Sequence, residues 1–265
     1  MEKTLEFPVL LRLIDERSIA FRAAAMSAPD LGLQVPTCPE WTLLDLVQHL
    51  GGVHRRWTTI VEAGPATDAP DESASDLAKA APREREALLA WSAASTQQLL
   101  DALRRVGPDR GCWTWWGDTQ SPQTSGAVAR HQLQEVMVHT YDAQNTVGAP
   151  EPLPDEAALD GVDDFLITVC ERTDPWPHED AAIDVHATEG RSWRHFVSAD
   201  GARTIRLPAP GTVPATTADQ VPDMAFASIR GTAAELVLYL YDRIPVNSLQ
   251  LDGDLRLFDQ LREWD

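Results

Sequence analysis

The sequence predicts a helical domain, built as an antiparallel four-helix bundle, followed by a smaller α+β domain. Three observations carry this reading. In the first part of the chain, four stretches of about 20 residues repeat apolar positions at helical spacing. From about residue 181 the pattern changes to short alternating runs separated by glycine turns, as strands require. Helical spacing then returns twice before the end. The expected division is 1–150 for the bundle, 151–180 for a connecting helix and 181–265 for the α+β domain.

Residues 4–27 carry Leu5, Val9, Leu10, Leu13, Ile14, Ile19 and Phe21 at helical spacing. QVPTCPEW then reads as a proline-punctuated loop. Thr42 and Asp45 form a capping box ahead of a second helix that runs to about Ala63. Residues 64–77, GPATDAPDESASDL, are a polar linker. A third helix is expected over 83–106, a loop carrying WTWW over 107–124, and a fourth helix from about Ser125 to Asn145. GAPEPLPDE breaks the pattern before a fifth helix, Glu156 to Glu171. Beyond it, IDVHATEG, SWRHFVSADGARTIRL and MAFASIRG read as strands. TAAELVLYLYDRI is a helix, SLQLDGD a short strand and LRLFDQLREW the terminal helix.

Composition narrows the function. With 41 acidic against 22 basic residues, the formal net charge is −19. A field of that sign repels phosphate backbones and anionic membrane surfaces, which argues against nucleic acid and membrane partners. The three cysteines, Cys38, Cys112 and Cys170, are too few and too scattered for a disulfide framework. The N-terminus lacks a signal-peptide pattern, and no apolar run approaches the ~18 residues of a membrane span. A soluble, cytoplasmic protein is expected.

Chemical potential concentrates in RHQLQEVMVHTYD, residues 130–142. His131, Glu135 and His139 stand one helical turn apart, within about 80° of one another, with Asp142 below them. Ligands at i and i+4 on a helix can converge on a tetrahedral metal. The same spacing also suits a solvated face or a hydrogen-bond ladder. A further ligand must come from elsewhere, and the second helix offers His49 and His54. Its apolar face, Leu43, Leu46, Val47, Leu50, Val53 and Trp57, puts His54 nearer its centre and His49 at its edge. Periodicity thus favours His54 as the inward histidine, either as a ligand or as a hydrogen-bonded core residue.

VPTCPEWTLLDLVQHLGGVHRRW, together with EVMVHTYDAQNTVG, resembles the mycothiol-dependent maleylpyruvate isomerase family. The resemblance covers nearly the whole chain and implies a DinB-like four-helix bundle at the N-terminus. The family pattern C-P-x-W-T-x-x-D-L-x-x-H-L places one zinc ligand at His49, and R-x-x-x-x-E-x-x-x-H-x-x-D-A places the others at Glu135 and His139. RGTAAELVLYLYDRIP followed by LDGD resembles the family's C-terminal domain, in which an arginine reaching the active site corresponds to Arg243.

The implied cofactors are Zn2+, or another divalent metal, and mycothiol, an actinobacterial thiol. Three protein ligands leave a fourth position for water or a substrate atom. A thiol in that position is deprotonated and becomes a nucleophile at neutral pH. The implied reaction adds the thiolate to the cis double bond of maleylpyruvate, allows rotation and eliminates the thiol. Arg243 is implied as a bidentate clamp on the substrate carboxylates; its plainer reading is a helix-terminal arginine. Two alternatives stay open: a mycothiol S-transferase acting on another electrophile, and a non-catalytic metal-containing small-molecule-binding module.

The neighbouring residues keep two readings each. His131 is either a hydrogen-bond donor behind the ligands or a surface or core histidine. Asp142 either orients a ligand imidazole or packs between helices. Cys38 is a reactive thiol or a small buried hydrophobe, and WTWW is packing or a lid.

Overall fold

A computed structural model describes residues 5–66, 68–69, 73–208 and 225–264. Thr4 of the expected first helix, parts of the 64–77 linker and Met224 of the expected strand lie outside these residues. The chain divides into two compact units, Met1–Gly117 with Pro122–Leu153 and Asp118–Ser121 with Pro154–Asp265.

In the first unit α1 (Phe7–Ser27) leads into a short hairpin, β1 (Gln34–Val35) and β2 (Cys38–Thr42). There follow α2 (Leu43–Ala63), α3 (Ala74–Lys79), α4 (Arg85–Val106) and α5 (Ser125–Thr146). Helices α1, α2, α4 and α5 form the bundle around Ile14, Phe21, Leu43, Leu46, Leu50, Ile60, Leu99 and Leu103, all buried. The capping box is present: Asp45 N donates to Thr42 Oγ1 at 3.3 Å, and Thr42 N to Asp45 Oδ2 at 2.9 Å.

Helix directions follow from the paired residues. Arg85 at the start of α4 donates to the carbonyls of Ala25, Met26 and Ala28 at the end of α1, so these helices run antiparallel. Helices α2 and α5 are antiparallel as well, because His49 early in α2 meets Glu135 and His139 in the second half of α5. By contrast, α2 and α4 run in the same direction, since His54 meets Thr96 and Glu62 meets Arg105. Parallel neighbours need a return connection about as long as a helix. Residues 64–84 supply it, and α3 forms part of it, capped by Ser73, whose side chain accepts from Asp76 N.

Gly51 and Gly52 allow α2 to approach its neighbours. A Cβ at Gly51 would overlap the six-membered ring of Trp91 on α4, and one at Gly52 would strike the backbone of α3 at Ala74.

The second unit contains α6 (Asp155–Thr168), β3 (Ala181–Ala187), β4 (Ser192–Ser198), β5 (Gly201–Arg206) and β6 (Ala225–Gly231). Helix α7 (Ala233–Leu240), β7 (Gln250–Gly253) and α8 (Arg256–Trp264) complete it. The sheet order is β5-β4-β3-β6-β7, with β3 and β6 parallel and the other pairs antiparallel. Side chains of α6, α7 and α8 line a cavity together with Ile183, Val185 and Ile229 of the sheet. Asp163 on α6 accepts from Trp193 Nε1 at 2.8 Å and Arg206 Nη2 at 2.6 Å, tying that helix to β4 and β5. The helix expected to connect the domains is therefore packed within the second unit.

Local differences from the sequence reading have physical causes. QVPTCPEW forms a hairpin rather than a plain loop, because Val35 and Cys38 pair across Pro36 and Thr37. Helix α6 stops before Glu171, whose carboxylate instead accepts from the backbone N of Thr204 and Gln120, each at 2.8 Å. Helix α7 ends before Asp242, which takes a left-handed φ of 60°. Among the described residues, no helix is long and apolar enough to cross a membrane.

Candidate metal centre

The candidate centre belongs to the first unit, where α2 and α5 face each other below the hairpin. His49 Nε2 stands 3.0 Å from Glu135 Oε1, and His139 Nε2 stands 3.4 Å from the same oxygen. The ligand atoms of the three residues all lie within 4.8 Å of one another. Donors bound about 2.0–2.1 Å from one tetrahedral centre stand roughly 3.4 Å apart, so the spacing fits a zinc-sized ion. Two imidazoles and one carboxylate also match the donor set of catalytic zinc, which keeps a fourth position for a reactant.

The site is graded in exposure. Side-chain exposure falls from 30% at His49 and 21% at Glu135 to 8% at His139 and zero at Asp142. His49 and Glu135 form the more open side of the cluster, while His139 is held from within. Its Nδ1 donates to Asp142 Oδ2 at 2.8 Å, which leaves Nε2, on the Glu135 side, as the candidate ligand nitrogen. Asp142 also accepts from Thr37 Oγ1 at 2.6 Å and lies 3.7 Å from Cys38 Sγ. One buried carboxylate thus holds the His139 imidazole and fastens the hairpin to α5.

Burial penalises charge here, and the neighbouring groups outweigh it. His139 is disfavoured as a cation by burial, yet Glu135 and Asp142 raise it to about 9. Glu135 is pushed up by burial but held well below the ordinary carboxylate range by His139 and His49. The cluster thus mixes an anionic carboxylate with imidazolium character, and a divalent cation would take the proton's place.

The other histidines do not join the cluster. His131 packs against Trp115 and Trp116, with ring centroids 5.5 and 5.2 Å away. His54 is buried and meets Thr96 Oγ1 at 3.2 Å, and burial lowers it to about 4. WTWW is divided in use: Trp116 is buried and stacks near Trp57 at 5.4 Å, whereas Trp115 is half exposed. Arg243 lies beyond α7 in the second unit and donates to the Tyr241 carbonyl.

Two residues were missed as contributors. Trp41 sets its ring 4.5 Å from that of His49 and 6.0 Å from that of His139, so it walls one side of the cluster. Thr37 anchors Asp142. Both belong to the hairpin, whose proline-rich sequence hides any strand alternation.

Residues 11–144 match the family model of the mycothiol maleylpyruvate isomerase N-terminal domain, and residues 156–260 match that of the MDMPI C-terminal domain. The chain belongs to the mycothiol-dependent maleylpyruvate isomerase family. No curated protein gives a significant match. Among solved structures, a histidine-to-alanine mutant of the mycothiol-dependent maleylpyruvate isomerase is similar at 14% identity and a TM-score of 0.58, covering 95% of each chain. A second structure of that isomerase aligns at 14% identity and a TM-score of 0.54, again over 95% of each chain. At that identity the likeness establishes the family's fold: a helical domain followed by an α+β domain.

Proposed function

We propose that the protein is a zinc-dependent, mycothiol-using isomerase of the maleylpyruvate isomerase type. Family membership supports the reaction class. The observation that carries the metal reading is the convergence of His49, Glu135 and His139, whose ligand atoms all lie within 4.8 Å of one another. When bound, the metal supplies a Lewis-acidic position at which the cofactor's thiol is held as thiolate at neutral pH. The chain's own residues do the rest. His49, Glu135 and His139 hold the ion, and Asp142 fixes the orientation of His139. Trp41 shields one side of the centre from water. We assign Arg243 the role of binding the carboxylates of an unsaturated keto diacid, since its planar fork matches a carboxylate bidentately.

The test is incubation of the metal-loaded protein with mycothiol and maleylpyruvate, followed for cis–trans conversion. Turnover that needs both metal and thiol supports the reading. Full metal content without conversion rejects the isomerase and leaves the S-transferase, which the same assay tests with other electrophiles.

A further inference from the structure

The second unit holds a cavity of about 120 Å³ between its sheet and helices, lined by residues of that unit alone. Phe165, Tyr239, Phe258 and Trp264 line it with rings, and Ile183 and Leu236 add aliphatic wall. An apolar cavity of roughly 150 Å³ accepts benzene, so this space suits a single aromatic ring.

Among these apolar walls stands His195, on β4 and only 3% exposed. Its Nδ1 lies 2.9 Å from Thr204 Oγ1, and that hydroxyl donates to the Leu166 carbonyl at 3.1 Å. With the Thr204 hydrogen committed, His195 must donate through Nδ1. Its Nε2 is then the ring's acceptor, and the hydrogen bond that the ring makes is the one to Thr204. A ligand that donates a hydrogen bond to this atom gains affinity over an apolar ligand of the same shape. The charges at the cavity's edge are engaged within the protein. Arg262 lies 3.7 Å from Asp242, while Arg172 stacks on Trp264 and donates to its carbonyl at 3.1 Å. A neutral ligand fits this arrangement better than an ionised one.

We infer that this cavity is a binding site for a neutral, single-ring hydroxylated aromatic, whose hydroxyl donates to His195 Nε2. Burial lowers His195 to about 4, so the imidazole is neutral and able to accept at physiological pH.

Phenol, benzene and benzoate titrated into the full chain by calorimetry provide the test. Phenol should bind once per chain, roughly five- to tenfold tighter than benzene, the value of one hydrogen bond. Benzoate should be weaker than phenol. Equal affinity for phenol and benzene, or no phenol binding at millimolar concentration, overturns the proposal. His195→Phe should abolish the preference for phenol. Should that variant fail to fold, native crystals soaked with 4-bromophenol decide the matter. Bromine signal in this cavity supports the site, and its absence there rejects it.

Discussion

His139 Nδ1 and Asp142 Oδ2 are 2.8 Å apart, inside a region where Asp142 has no exposure to solvent. A ligand imidazole backed by a buried carboxylate is fixed in tautomer and direction, and it is a stronger donor toward a metal. Because Thr37 also donates to Asp142, the hairpin and the candidate ligand His139 depend on the same carboxylate.

Asp142→Asn should therefore weaken zinc binding about 10- to 100-fold while leaving the ligands themselves in place. Competition against a chromophoric chelator measures the change. Native zinc affinity in that variant would reduce Asp142 to a packing residue.

The regular stripe on α5 and the observed cluster make different predictions. His49→Ala and His139→Ala should each lower bound zinc well below one equivalent, whereas His131→Ala should retain it. Elemental analysis after dialysis distinguishes them. Zinc lost from the His131 variant alone would restore the stripe and discard His49.

Gly51→Ala tests the approach of α2 to α4. The added methyl has to displace the Trp91 ring, and overpacking of this kind costs about 1–3 kcal/mol. Thermal unfolding should show a lower Tm. Because Trp91→Ala opens space at the same place, the two substitutions together should cost less than the sum of their separate effects.

His195 makes the second unit sensitive to acid. Burial, assisted by Arg172, lowers it to about 4 in the folded state, against roughly 6.5 when unfolded. Between those values the unfolded chain binds a proton that the folded chain refuses. Stability is therefore complete above about pH 6.5 and declines as pH falls toward 4, by up to about 3 kcal/mol. Urea unfolding of the native chain and His195→Asn at pH 7.5 and 4.5 measures this, and the variant should show the flatter dependence. Identical pH dependence in both would refute it.

The long helices were readable because their apolar periodicity extends over five or six turns, and Thr42 with Asp45 marked the start of α2. Shorter elements left weaker traces. Two residues of β1 cannot show alternation, and Pro36 and Pro39 point to a loop. Helix α3 had only Ser73 and Asp76 as its starting signal within a polar stretch. The choice between His49 and His54 shows a limit of helical-wheel reasoning. The centre of an apolar face is the part most fully enclosed, and there His54 meets Thr96. A residue that must meet both a partner helix and an incoming molecule belongs at the edge of that face, as His49 does. Periodicity finds the core, but it carries no information about which core edge opens to solvent.

The contacts that build the candidate centre join distant parts of the chain: His49 and Glu135 are 86 residues apart, and Thr37 and Asp142 are 105 apart. Pairings of such range must overcome loop-closure entropy and tend to form after local helical structure. The Asp142 junction should then act as a latch on the folded state. Its removal is expected to quicken unfolding in proportion to the stability lost while refolding proceeds at nearly the native rate. The residues that prepare this protein for chemistry would also set how long it stays folded.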